Sequence, residues 1–84
     1  MDIQTYLSEL SALAARLGDY AIRIRDATSC ATDASNQTSA FPNDPNAGQC
    51  CGALLDAISD GESAYQSVIA AQRTIEDYIN EVRS

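Results

Sequence analysis

Three cysteines, four tyrosines and five arginines are the side chains of this 84-residue chain that offer chemistry beyond its carboxylates, and it has no histidine. All five basic residues are arginines: Arg16, Arg23, Arg25, Arg73 and Arg83. General acid–base catalysis near neutral pH therefore lacks its usual groups, and the carboxylates fall mainly on the polar faces of helical patterns. There is no glycine-rich phosphate loop, no metal signature and no pairing of a nucleophile with a base. A cysteine near a helix N-terminus can have a depressed pKa, but nothing nearby supplies the second half of a thiol mechanism. A metal site would need Asp33 or Asp44 beside the cysteines, since neither histidine nor a Cys-x-x-Cys spacing is present. The expectation is a protein without catalysis, cofactor or metal.

The cysteines offer a staple instead. Cys30 falls at the end of a first helical pattern, and Cys50 and Cys51 fall in the first turns of a second. In a hairpin those ends are neighbours. A bridge from Cys30 to one of the pair would close about twenty residues and stabilise by roughly 3 kcal/mol through lost chain entropy. Three reduced thiols are the alternative in a reducing compartment. Tyr6, Tyr20, Tyr65 and Tyr78 lie on or beside the apolar seams, where tyrosine serves packing and interfaces.

Those seams define the elements. From Ile3 the apolar positions advance in steps of four and three through Leu7, Leu10, Ala14, Leu17, Ala21, Ile24 and Thr28 to Ala31, the heptad form of the helical period. A second column, Tyr6, Leu13, Tyr20 and Ala27, widens the stripe. The spacing predicts a helix over about 2–31, capped by Asp2. Small polar residues without a period follow, and predict a loop over about 32–43 in which Phe41 pins the turn. Asp44-Pro45, a capping acid before proline at the first helical position, opens a second helix over about 44–83. Its seam runs Cys51, Leu54, Ile58, Gly61, Tyr65, Val68, Gln72, Ile75, Ile79 and Val82. Gly61 suggests a break or a close approach, and Gln72 a polar group at the seam's edge.

The fold expected is all-α: one domain, an antiparallel hairpin of two long amphipathic helices. Pro42-Asn43-Asp44-Pro45 resembles the Pro-x-x-Pro turn of type III secretion needle subunits, themselves helical hairpins of about this size. The resemblance covers four residues and the layout; the long polar stretch before the turn and the cysteine pair after it depart from that pattern, so the family is not assigned.

Such wide stripes are not covered by two helices alone, so self-association or a partner protein is expected to complete a bundle. Leu7, Leu10, Leu17, Ile24, Tyr65, Val68, Gln72, Ile75 and Ile79 are the interface candidates. The net charge of −7 disfavours direct contact with nucleic acid or with anionic membranes. No basic, apolar leader opens the chain and no stretch suffices to span a bilayer, so a soluble protein is expected, its compartment unassigned. Two functions fit. One is a structural or assembly subunit of viral or bacterial origin, such as a phage or virion component or part of a secretion-linked assembly. The other is a small acidic inhibitor that occupies the nucleic-acid-binding site of a host or defence protein. Glu76, Asp77 and Glu81 form the acidic surface such an inhibitor would use, interrupted by Arg73 and Arg83.

Overall fold

A computed structural model describes residues 2–84. Two helices make up the chain, α1 over Ile3–Thr38 and α2 over Pro45–Arg83, joined by a short turn into a rod of 63 × 16 × 14 Å. Both helix starts form as the sequence predicts. The Asp2 carboxylate accepts the Thr5 N–H at 2.8 Å, and Asp44 accepts that of Asn46 at 2.9 Å ahead of Pro45. The Thr5 amide holds the Asp2 carboxyl below its ordinary range. The cap is thus in force above the usual carboxylate pKa and is lost as pH falls through the lowered value.

The seams meet as their spacing requires. Leu7, Ala14, Ala21 and Ile79 are buried. Leu10, Leu17, Ile24, Thr28 and Ala31 of α1 are half-buried, as are Cys51, Leu54, Ile58, Gly61, Tyr65, Val68, Gln72 and Ile75 of α2. The register is antiparallel: Tyr6 lies against Tyr78, Gly18 against Gln72, Thr28 against Gly61, and Ser35 against Cys51. Only the two seam ends, Ile3 and Val82, are open to solvent.

Two expectations are corrected. The polar stretch 32–38 is helix rather than loop, and α1 is two turns longer than its apolar seam. Its hydroxyls do not compete with the helix; they bond back into it, Thr32 Oγ1 to the Thr28 carbonyl and Thr38 Oγ1 to that of Ala34. The heptad step continues through Ser35, which meets Cys51 across the seam, so packing against α2 outweighs weak local propensity. The turn is consequently short, with the Phe41 N–H bonded to the Thr38 carbonyl and the Asp44 N–H to that of Phe41. Phe41 does not pin it: the residue is 67 % exposed and lines the edge of an open groove with Thr38, Pro42 and Ala47.

Of the two readings of Gly61, the close approach holds and the break does not. α2 runs unbroken through it, without a positive φ. A Cβ there would collide with Thr28 Oγ1 and lie 3.4 Å from Thr28 Cβ. Thr28 Oγ1 is itself committed to the Ile24 carbonyl at 2.8 Å. Gly61 is therefore the point where α2 receives a β-branched side chain from α1. Gly18 plays the reciprocal part on α1, where a Cβ would meet Gln72 Nε2 at 2.7 Å.

The two glycines should respond differently to alanine. At Gly61 overpacking, which costs about 1–3 kcal/mol, outweighs a helix-propensity gain of up to ~1 kcal/mol. Gly61→Ala should lower Tm by several degrees, and Thr28→Ala in the same chain should reverse the loss. At Gly18 the obstacle is the far end of a flexible side chain, so Gly18→Ala should leave Tm unchanged or raise it. Thermal melts of the three variants check this.

Candidate interaction surface

In heptad terms the two flanks of the α1–α2 seam differ in chemistry. On one flank Arg25 reaches across to α2. Its guanidinium carbon stands 4.6 Å from the Tyr65 ring centroid, and it donates a hydrogen bond to the Tyr65 hydroxyl. The groove beside this latch is lined by Thr28, Ser29, Thr32, Glu62 and Gln66, all able to bond water. Leu55 and Ile69 stand seven residues either side of Glu62, so this flank mixes hydrogen-bonding groups with aliphatic ones.

The other flank is apolar and open. Along α1 it carries Tyr6, Leu13, Tyr20 and Ala27, each seven residues apart; along α2 it carries Ala57, Ala64, Ala71 and Tyr78. Tyr6 and Tyr78 make an edge-to-face pair across it, with centroids 6.3 Å apart at 73°. The Tyr6 hydroxyl beside it raises the Tyr78 phenol above its ordinary pKa. Toward the turn, Ile24, Ala27, Ala31, Ala57 and Ala64 line a shallow apolar groove. Tyr6, Leu13, Tyr20 and Tyr78 all remain exposed, Leu13 by 47 %. Other exposed apolar residues, Ile22 and Leu55, lie outside this column. Isolated exposures of that kind are ordinary; a column repeating every seven residues beside a groove is not.

A charged rim borders this flank on α1: Asp2, Glu9, Arg16 and Arg23, again at intervals of seven. The Arg16 guanidinium donates to the Tyr20 hydroxyl at 3.1 Å. The guanidinium carbons of Arg16 and Arg23 stand 5.9 and 5.8 Å from the Tyr20 ring centroid. Tyr20 is thus held between two cations at the edge of the apolar column, a residue set typical of interface anchors.

The residues singled out from sequence are distributed otherwise than expected. Leu7, Leu10, Leu17, Ile24, Tyr65, Val68, Gln72, Ile75 and Ile79 do line an interface, but it is the one between α1 and α2. Leu7 and Ile79 are too deeply covered for a second molecule to reach. The column beside the seam remains for a partner, and its signal was present in the sequence as Tyr6, Leu13 and Tyr20 at heptad spacing. Glu76, Asp77 and Glu81 are exposed and lie outside the apolar flank.

The three cysteines are free here; a Cys30 bridge is one of the two readings of the sequence and reduced thiols the other. Because α1 continues to Thr38, the residue that meets Cys51 is Ser35: its hydroxyl is 3.5 Å from Cys51 Sγ, and the thiol reaches the Ser35 carbonyl at 3.6 Å. Cys30 lies five residues back along α1, about 7.5 Å down the axis at 1.5 Å per residue. Added to the separation of two packed helices, that exceeds the Cα spacing a disulfide tolerates. Cys30 is exposed on the rim of the apolar flank rather than turned toward α2. Non-reduced peptide mapping of the monomeric fraction after mild oxidation should find no peptide linking Cys30 to Cys50 or Cys51. Recovery of that link would require α1 to end near residue 31.

Comparison with protein-family models, with curated proteins and with solved structures finds no match to this chain.

Proposed function

We propose that this chain is a non-catalytic interaction or assembly subunit whose hairpin is completed into a bundle by protein docked on the Tyr6–Leu13–Tyr20 flank. The observation that carries this is surface. The chain exposes 5954 Å², against about 4,800 Å² for a compact monomer of its mass. Its radius of gyration is 18.8 Å, against about 12 Å for a compact domain of this length. The excess, roughly 1,100 Å², is of the size that one partner contributes to a stable interface. The excess belongs to the rod as a whole, and the Tyr6–Leu13–Tyr20 flank is the apolar part of that rod's surface that repeats at heptad spacing.

A virion component or part of a secretion-linked assembly, of viral or bacterial origin, is the setting in which an elongated, non-catalytic helical module would serve. The acidic-inhibitor alternative needs a continuous anionic face. Arg73 and Arg83 stand among Glu76, Asp77 and Glu81, and the apolar flank has no part in charge mimicry, so the assembly reading is preferred. No helix is long and apolar enough to cross a membrane among the described residues.

If stability is completed by association, Tm must depend on protein concentration. Light scattering at micromolar concentration should give a mass at least twice 8.9 kDa, and Tm should rise by several degrees over a hundredfold increase in concentration. A monomer with a concentration-independent Tm would overturn the bundle completed by copies of itself, and with it the main support for the assembly role.

A further inference from the structure

The apolar column and its charged rim on α1 are each symmetric, about centres half a residue apart. Tyr6 and Tyr20 lie seven residues either side of Leu13. On the rim, Glu9 and Arg16 have their midpoint between Ala12 and Leu13, and Asp2 and Arg23 share that midpoint. The rim is a palindrome of opposite sign, two anions followed by two cations. We infer that α1 docks against α1 of a second copy, antiparallel, about a two-fold axis at Leu13. Leu13 then meets itself, Tyr6 of each copy meets Tyr20 of the other, and Glu9–Arg16 and Asp2–Arg23 pair between copies, each twice. The inference rests on the assembly role proposed above and names its partner.

Physical chemistry favours this occupant over an unrelated one. Turning a helix end for end reverses its charge order. A rim that reads minus, minus, plus, plus is then complementary to itself antiparallel and repels itself in parallel, which fixes orientation as well as partner. The flanking groups are free to take these roles. Asp2 uses Oδ1 to cap Thr5, which leaves Oδ2. Tyr20, with Arg16 and Arg23 held over its ring, is a preformed anchor for an aromatic neighbour. Large side chains occur on the column where the axis places them, whereas its continuation toward the turn is alanine. The overlap from Asp2 to Arg23 spans about 33 Å. The turn halves of the two rods would project from opposite ends, giving a dimer longer than either hairpin.

Two variants at exposed positions locate the axis. In a chain with Cys30, Cys50 and Cys51 replaced by serine, Leu13→Cys should give a covalent dimer with a short bismaleimide, since only a residue on the axis meets its own copy. Ile22→Cys, exposed on another side of α1, should not. Charge reversal then tests the pairing. Glu9→Arg and Arg16→Glu should each weaken the dimer on the order of tenfold in sedimentation equilibrium, since exposed pairs contribute up to about 1 kcal/mol each and every pair occurs twice. The double variant should return toward the wild-type constant, because the swapped charges again face their opposites. A dimer that crosslinks through neither position, or in which the double reversal is weaker than both single ones, overturns this geometry while leaving an assembly role intact. A protein monomeric at all concentrations overturns both.

Discussion

Close approach of two helix backbones is the constraint from which the rest of the molecule follows. Ala14 and Ala21 are buried in the seam. Gly18 and Gly61 each take the side chain of a residue on the other helix where their own would stand. Small residues let the helices touch along their length, but each contact buries little apolar area. A hairpin held this way cannot concentrate its stability in a compact core and must accumulate it turn by turn, which is why an 84-residue chain forms helices of 36 and 39 residues. Length offsets thinness, and length also creates surface.

That surface is not equivalent on the two flanks of the seam. Arg25 closes one by stacking on and bonding to Tyr65, and the Thr28 and Thr32 hydroxyls beside it bond back to carbonyls of α1. The other flank holds phenol rings, Leu13 and a run of alanines, with the cations Arg16 and Arg23 directed at Tyr20. The difference arises from which residues sit beside the seam, not from the seam itself. A net charge of −7 would keep copies apart if it were spread evenly. Placing two of the five arginines on the rim of the apolar flank lowers that repulsion where an approach would be productive.

Much of the fold was legible in the heptad step, since a residue that recurs every three and four positions has one face to hide. The Asp2 and Asp44-Pro45 caps were legible for an equally local reason. What was not legible depended on the other helix. Ser35 and Thr38 look like loop residues until the seam of α2 lies opposite them. Gly61 resembles a break because its sequence neighbours do not reveal Thr28. The possible bridge from Cys30 to the Cys50–Cys51 pair rested on the same helix end, and with α1 two turns longer it is Ser35 that faces Cys51. The candidate surface was half visible: the Tyr6 column stood out, but only the paired structure shows that the seam is consumed internally and the column is not.

The order in which such a hairpin closes gives its open end a particular standing. Contacts near the turn, such as Ser35 with Cys51, join residues 16 positions apart and are cheap in loop entropy once the helices form. Tyr6 with Tyr78 joins the far ends of the chain, and is reached by zipping outward from the turn rather than by a direct search. Closure at the open end therefore depends on every layer beneath it, and helix ends fray most readily. Yet this is the end that carries Tyr6, Leu13, Tyr20 and the charged rim, while the turn end is supplied with alanine. In the proposed dimer the open end of each copy is clamped by that of the other, so association adds contacts where the isolated hairpin has least hold. Folding would begin at the two turns and be completed at the shared middle, which couples assembly to the last step of closure instead of leaving it to two finished surfaces.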